Sequence, residues 1–288
     1  MSLIAVTHSG KFHADDVFAW ALIKHFYTEP VELIRTRDVN TIESADIVFD
    51  VGGVYAPQTR RFDHHQKSYT GHLSSAGMVL QWLKDEGKIQ ENLFAHLKSN
   101  IVDYIDDVDN GRVFPDKAVP CFPNIVDVIG NGLQSLDAFE QAFFRAANVA
   151  EDYIQSFQRA LLIIEESKRI VVQEMKRARE EKRNYLLFSK YTPWKETYFA
   201  NGGETDPSQF VIFPNLQGRW QAVAIPPKEH SFDQKKSFPL EWAGKRDEEL
   251  SRVIGIDGAI FCHKNRFISV FSNQDSLFQS LQTWNLIP

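Results

Sequence analysis

Between Leu133 and Thr192 the chain contains neither glycine nor proline, and this run constrains the architecture more than any other feature. A backbone without these two residues, rich in Ala, Leu, Glu, Lys and Arg, favours continuous helix. In its middle, Ile154, Leu161 and Met175 share one heptad position, while Phe157, Ile164, Val171 and Ala178 share another. The spacing predicts a long helix that buries a stripe on at least one side. Its far end, Lys168 to Arg183, carries seven basic and three acidic residues. A solvated face laced with i,i+4 pairs is the favoured reading of that surplus over a phosphate-facing stripe. Such a helix can dock two domains, or also form the seam of a homodimer.

The segments on either side read differently. Before the helix, Leu3–Thr7, Val31–Arg35 and Ile47–Val51 have the pattern of buried strands, separated by an amphipathic stretch over Asp15–Phe26. Further helices are expected from Ser74-Ser75 through Leu83 and over Phe94–Ile105. Strands alternating with helices imply βαβ units and a parallel sheet, whose ligands gather at the carboxyl ends of the strands. After Pro193 the strands Phe210–Phe213, Trp220–Ile225, Ala259–Cys262 and Phe267–Phe271 are expected among proline-, glycine- and charge-rich segments. The expected fold is α/β: an N-terminal parallel-sheet domain over 1–145, the long helix over 146–190, and a smaller α+β domain over 191–288.

Composition narrows the class. A net charge of −6 argues against a broadly basic nucleic-acid coating. No apolar run approaches the roughly 20 residues needed to cross a bilayer, and the start lacks the pattern of a signal peptide. Two cysteines, Cys121 and Cys262, are too few for a disulfide framework. A cytoplasmic protein without membrane contact is expected. Neither a Gly-x-x-x-x-Gly-Lys-Ser/Thr loop nor a Gly-x-Gly-x-x-Gly run occurs, and no cysteine carries a nucleophile signature. The tryptophans and Phe139, Phe143 and Phe144 read as core in preference to base-stacking platforms.

Four acid–histidine clusters carry the chemical information. The first is His8-Ser9-Gly10-Lys11-Phe12-His13-Ala14-Asp15-Asp16, at the end of one strand and the start of a helix. Imidazoles and a carboxylate converging at one turn suit a divalent ion such as Mn²⁺, Co²⁺ or Zn²⁺, although Asp15 or Asp16 could instead only cap the helix. The second is Asp50, an acid inside an apolar strand and followed by Gly52-Gly53, where burial is costly unless the charge is paired or metal-bound. The third is Asp63-His64-His65 behind Arg60-Arg61. Adjacent residues cannot all face one ion, so His64 is expected on metal, Asp63 behind it and His65 toward substrate. The fourth is the acidic run from Asp103 to Asn110-Gly111, with Asp103, Asp106 and Asp109 spaced along one helix face. Crowded carboxylates repel unless cations lie among them.

In order and spacing these clusters resemble the DHH phosphoesterase superfamily, and within it the MYG1 (UPF0160, metal-dependent protein hydrolase) family. Further phrases are similar to that family: Asp50-Val51-Gly52-Gly53-Val54-Tyr55, Ser74-Ser75-Ala76-Gly77, Trp194-Lys195-Glu196, Ala222-Val223-Ala224-Ile225-Pro226, Glu241-Trp242-Ala243-Gly244 and Gly258-Ala259-Ile260-Phe261. The resemblance implies a DHH-type catalytic domain followed by a second domain that grips substrate. It implies two divalent ions, usually Mn²⁺, with Mg²⁺, Co²⁺ and Zn²⁺ as alternatives. Asp50 matches the bridging carboxylate; His8 and His13 match one ion's set, and Asp15, His64 and Asp106 the other's. The acidic run offers Asp109 as the alternative to Asp106. His65 matches the phosphate-facing residue, so Asp50, His64 and His65 are the catalytic candidates. Lys11, Arg60, Arg61 and Arg266 are candidate substrate-binding cations.

One departure is visible. Members typically carry a Gly-Phe-Ile-Gly-Gly stretch after the last Phe-Val-His strand, whereas here the run is Phe261-Cys262-His263-Lys264-Asn265-Arg266-Phe267-Ile268-Ser269-Val270. Backbone amides freed by glycine are one way to hold phosphate, and an arginine fork does not reproduce them. The expected activity is metal-dependent phosphodiester hydrolysis, a 3′–5′ exonuclease on RNA or short oligonucleotides. The alternatives are a phosphatase or pyrophosphatase on small esters, and a non-catalytic metal-containing binding module.

Overall fold

The computed structural model describes residues 2–116 and 118–288. The chain divides into two compact units, Met1–Leu161 and Leu162–Pro288. The first contains strands β1 (Leu3–Thr7), β2 (Val31–Arg35), β3 (Ile47–Phe49), β4 (Tyr55–Ala56) and β5 (Arg61–Phe62). Its helices are α1 (Ala14–Phe26), α2 (Val39–Ser44), α3 (Ser75–Asp85), α4 (Glu91–Leu97), α5 (Asp103–Asp109) and α6 (Phe122–Gly130), and it holds the first part of α7 (Leu136–Glu180). The sheet order is β2-β1-β3-β5-β4. All neighbours pair in parallel except β4, which returns antiparallel to β5. The chain leaves β1 to one side for β2 and comes back on the other for β3. That reversal opens a crevice beyond the carboxyl ends of β1 and β3.

One face of this sheet is buried by Val17, Phe18, Ala21 and Leu22 of α1, Met78 and Val79 of α3, and Ala142, Phe143 and Ala146 of α7. On the other, Val6 and Val48 pack with Ile42 and Ala45. Burial on both faces is why these strands read as continuous apolar runs. Phe143 is core and Phe139 packs against it, but Phe144 is exposed and departs from the expected core.

The long helix begins and ends earlier than expected, at Leu136 and Glu180. At its start Ser135 Oγ accepts the Ala138 amide at 3.1 Å. At its end Lys182 takes a positive φ of 53°, and the amides of Lys182 and Arg183 return to the carbonyls of Arg179 and Ala178. This is a Schellman closure with lysine where glycine is usual, which hid the stop from a reading based on glycine and proline. Tyr185–Leu187, inside the expected helix, is instead strand β6.

The second unit holds β6, α8 (Lys195–Ala200), β7 (Phe210–Pro214), β8 (Trp220–Ala224), α9 (Asp247–Ile254), β9 (Ala259–Cys262), β10 (Ile268–Phe271) and α10 (Gln274–Thr283). Its sheet order is β6-β7-β8-β10-β9, with β6 parallel to β7 and the remaining pairs antiparallel. Val171, Met175 and Ala178 of the α7 stripe pack with Leu186, Val211 and Phe213, whereas Ile154 and Leu161 belong to the first core. Among the described residues no helix is long and apolar enough to cross a membrane.

Candidate metal centre

The ends of β1, β3 and β5 deliver the first three clusters to one place. His8 follows β1, and its Nδ1 lies 3.3 Å from the Ser9 carbonyl, which leaves Nε2 facing Asp50 Oδ2 at 3.1 Å and Asp16 Oδ2 at 3.3 Å. Asp50 follows β3 in a left-handed conformation, φ 55°, uncommon for a residue with a side chain. Its amide is held by the Phe62 carbonyl at 3.1 Å, and Gly52 and Gly53 continue the positive-φ turn. Asp63 turns away, accepting the Gly53 amide on Oδ2 at 2.6 Å and His65 Nδ1 on Oδ1 at 2.7 Å. His64 then faces inward, with Nε2 3.1 Å from Asp109 Oδ2, 3.5 Å from Asp50 Oδ1 and 3.8 Å from Asp15 Oδ2.

Ligating atoms of His8, His13 and Asp50 lie within 4.8 Å of one another, as do those of His13, Asp15 and Asp109, of Asp50, His64 and His65, and of Asp15, Asp16 and Asp50. Asp15, Asp16 and Asp50 are buried, yet among the described residues Asp15 Oδ1, Asp16 Oδ2 and His64 Nε2 make no hydrogen bond of good geometry, close as the last two lie to His8 and Asp109. Burial and the carboxylates of Asp50, Asp109 and Asp16 push the Asp15 carboxyl well above the usual range. Burial also takes Asp16 up to about 7, against the pull of the His8 charge. For Asp50 burial works upward, but the imidazoles of His64 and His8 beside it hold it well below the ordinary value. His64 is lifted to about 10, burial being outweighed by Asp109 and Asp50. A dense, dry set of acids and imidazoles with orphaned ligand atoms is electrostatically suited to divalent cations, so the donor set fits the expected metal.

The fourth cluster divides its acids. Asp109, at the end of α5, lies with His13, Asp15 and His64, whereas Asp106 falls in none of these groups, although its Oδ2 is buried without a hydrogen bond among the described residues. Asp106 Oδ1 accepts the Ser74 amide at 2.9 Å, the Ser74 hydroxyl at 2.6 Å and the Gly77 amide at 3.2 Å, clamping the first turn of α3. A Cβ at Gly77 would stand 2.2 Å from Asp106 Oδ2, so glycine is required for this approach. One residue along, Ser75 Oγ donates to the Phe62 carbonyl at 3.0 Å and sits 3.3 Å from Asp50 Oδ1. The α3 start thus lies between Asp106 and the cluster. The spacing of Asp103, Asp106 and Asp109 along α5 could not say which acid faces which neighbour.

The proposed cations fare differently. Arg60 and Arg61 lie at the entrance of β5, one strand length from the carboxyl ends, and do not reach the centre. Arg60 sits over the Tyr27 ring at 5.8 Å, and Arg61 donates to the carbonyls of Ala45 and Thr59. Arg266 belongs to the second unit, in the β9–β10 hairpin with φ 57°, and donates to the Phe238 carbonyl at 3.2 Å. Lys11 is exposed in the β1–α1 loop near His13. A cavity of about 370 Å³ opens on the cluster, lined by His13, His64, His65 and Asp109 and, from α6, Pro123 and Asp127. Asp127 was missed because nothing local marked α6 as part of the site. Arg35 was noted only as a strand end; buried over the Phe143 ring at 4.3 Å, it donates to the Gly10 carbonyl at 2.9 Å and holds the loop between His8 and His13. Asp16, read only as a cap, does accept the His13 amide at 2.8 Å, and also faces His8.

Fold and site together define an α/β protein with a candidate His–Asp metal centre at the reversal of a parallel sheet. The sequence profile described as "Uncharacterised protein family (UPF0160)", the MYG1 family, matches residues 4–282, and the chain belongs to that family. It is 37 % identical over 277 residues to the "MYG1 protein" of Chlamydia trachomatis, covering 96 % of this chain and 94 % of that one. It is 30 % identical to the "MYG1 protein" of Dictyostelium discoideum, covering 99 % and 98 %. It is also 30 % identical to the "MYG1 exonuclease" of Homo sapiens, covering 91 % and 80 %.

Proposed function

We propose that this chain is a divalent-metal-dependent phosphodiester hydrolase of the DHH phosphoesterase type, acting as a 3′–5′ exonuclease on RNA or short oligonucleotides. The observation that carries the reading is the convergence of His8, His13, Asp15, Asp50, His64 and Asp109, with Asp15 Oδ1 and His64 Nε2 buried and without a hydrogen bond among the described residues. The name exonuclease on mammalian relatives supports the same reaction class. His8 and His13 would serve one cation, Asp15, His64 and Asp109 the other, with Asp50 between them. Two such ions, Mn²⁺ in our reading, supply a hydroxide nucleophile at neutral pH and offset charge on the phosphoryl oxygens.

The chain's own groups then have defined tasks. Ser9 fixes the His8 ring through Nδ1, and the Asp63 carboxylate does the same for His65. His65, with 63 % of its side chain exposed, keeps Nε2 for a phosphate oxygen of the substrate. The hydrogen bond to Asp63 raises the His65 pKa, outweighing burial, and holds Nδ1 so that the ring presents Nε2 outward. Lys11 adds exposed positive charge beside the centre.

The test is metal analysis of the purified full chain together with cleavage of 5′-labelled RNA. The expected result is a ladder shortened from the 3′ end, lost after dialysis against chelator and restored by Mn²⁺. Full activity in excess chelator would end the proposal. Phosphate release from pyrophosphate with intact RNA would replace it by the small-ester reading.

A further inference from the structure

The second unit contains a cavity of about 610 Å³ that uses none of the metal-centre residues. It lies where the last turns of α7, the exit of β6, the start of β8 and the start of α10 meet. Its volume is in the range of small-molecule and cofactor sites. Ile170, Leu187 and Phe188 give it an apolar wall, and Trp220 lines it with a part-buried indole. Trp20, Trp82, Trp194 and Trp242 are buried, and Trp284 spends its indole N–H on the Ile254 carbonyl at 3.2 Å. The Trp220 indole makes no hydrogen bond among the described residues.

Two cations face the same space, and their surroundings matter. Along the basic end of α7, Lys168, Lys176, Arg179 and Arg183 pair with Glu165, Glu180, Asp206 and Glu174. Those pairings agree with the solvated-face reading of that stretch. Arg177 is ion-paired too, Glu181 holding its Nε at 2.8 Å; like Arg179 it keeps both Nη groups without a partner among the described residues, and of the two it is Arg177 that lines the cavity. Lys190, also on the cavity, has no ion pair among them. The one acid on the wall, Glu174, is already engaged by Arg183 at 2.9 Å and by the Leu187 amide at 2.8 Å. On the cavity wall Arg177 and Lys190 therefore outnumber Glu174. The side chains of Gln173, Ser189 and Gln274 line it without hydrogen bonds of their own among the described residues.

An apolar wall with a part-buried indole, unspent guanidinium nitrogens and an ammonium, and two free side-chain amides together match one ligand chemistry: an anion that carries a flat, hydrogen-bonding ring. We propose that this cavity is a nucleotide-binding site, with the base stacked on Trp220 and the phosphate held by Arg177 and Lys190. Trp220 pairs with Phe271, at the end of β10, whereas Arg266 precedes the start of that strand. The site is therefore at the opposite end of the sheet from the β9–β10 hairpin. The nucleotide can be free or one unit of a chain, and the experiment separates these sources.

Isothermal titration of the full-length protein as purified uses two probes, AMP and a phosphorothioate oligoribonucleotide of seven adenosines that resists cleavage. Trp220→Leu is expected to weaken binding about ten-fold, the scale of one lost base stack. Arg177→Ala with Lys190→Ala is expected to weaken it by a similar factor and to reduce its salt dependence. Thermal melts of both variants check folding, and the surface pair guards against loss of Trp220 as packing. If AMP shows these losses, the free nucleotide suffices; if only the oligonucleotide does, the site takes a chain segment. Binding of both probes that is unchanged in both variants, or absent in the parent, overturns the proposal. Both variants leave the metal centre intact, so binding that persists in them belongs to that centre and only the part they lose reports this cavity, which separates the result from the fate of the exonuclease reading.

Discussion

Each unit gathers charged side chains around buried acids, and the two clusters differ in how completely those acids are satisfied. In the second unit, Asp206 Oδ2 meets Arg179 Nε at 2.8 Å and Oδ1 accepts the Ser208 amide at 3.0 Å. Lys235 donates to the Tyr198 hydroxyl at 2.9 Å and to the carbonyls of Gly203 and Asp206 at 2.5 and 2.8 Å. Burial works to raise the Asp206 carboxyl, but Ser208 and Arg179 bring it below the ordinary range. In the first unit, burial and neighbouring acids raise Asp15 and Asp16, and ligand atoms are left without partners. A closed network of this kind holds loops together, while an open one is an energetic liability that something positive must offset. The same residue types therefore signify structure in one place and a candidate site in the other.

The contrast breaks most sharply at the metal ligands. Asp50→Asn and His64→Ala are expected to lower cleavage by about 10³-fold or more and to reduce bound metal, measured by single-turnover kinetics and elemental analysis. Mn²⁺ at about a hundred times its dissociation constant should stabilise the parent by about 2.7 kcal/mol, and these variants by much less. Asp206→Ala should show the reverse signature: a stability loss of about 2–3 kcal/mol in urea titration, with metal content unchanged. A change in metal content there would dissolve the distinction between the two networks.

Within the first unit, Asp109 and Asp106 sharpen the same comparison. Asp109→Ala is expected to diminish metal binding. Gly77→Ala, whose new Cβ meets Asp106 Oδ2, should cost about 1–3 kcal/mol of stability by forcing α3 from α5. If Asp106→Ala removed a cation while Asp109→Ala did not, the assignment of these two acids would be reversed.

The smallest effects lie in pH dependence and have opposite signs. Burial, only partly offset by Ser74 and Gly77, raises Asp106 to about 6. Between its unfolded value near 4 and that figure the native state binds more protons than the unfolded one, so this contribution to stability falls as pH rises. Asp206, held below its unfolded value, contributes stability that is present above about pH 4 and lost as pH falls through the folded value. Measured by urea titration between pH 3 and 7, Asp106→Asn should gain on the parent with rising pH and Asp206→Asn should lose ground. Parallel slopes would contradict the opposed environments.

Much of the fold could be read from local pattern. The strands Leu3–Thr7 and Val31–Arg35 appear with the expected limits: the first is covered on both faces and apolar nearly throughout, and the second is an edge strand whose Val31, Leu33 and Ile34 still mark it although Glu32 is exposed. The two-residue strands Tyr55–Ala56 and Arg61–Phe62 were invisible, since so short a segment has no period and exists only through pairing. The same limit bears on Arg60 and Arg61: adjacency to Asp63-His64-His65 in the chain placed them near the site, but they stand at the entrance of β5 and engage Tyr27, Ala45 and Thr59, while Asp63 follows its exit.

The amino-acid order alone determined which residues carry metal-competent chemistry and that they fall at successive strand ends, because side-chain type and hydrophobic period are local properties. Only the tertiary structure decided their facing partners. Asp109 rather than Asp106 meets His64, Asp63 turns back onto Gly53 and His65, and Arg35 is drawn under the first loop. These choices depend on how α5, α3 and the β3–β4 turn approach in space, and close packing between elements distant in sequence leaves no mark in the spacing of any one of them.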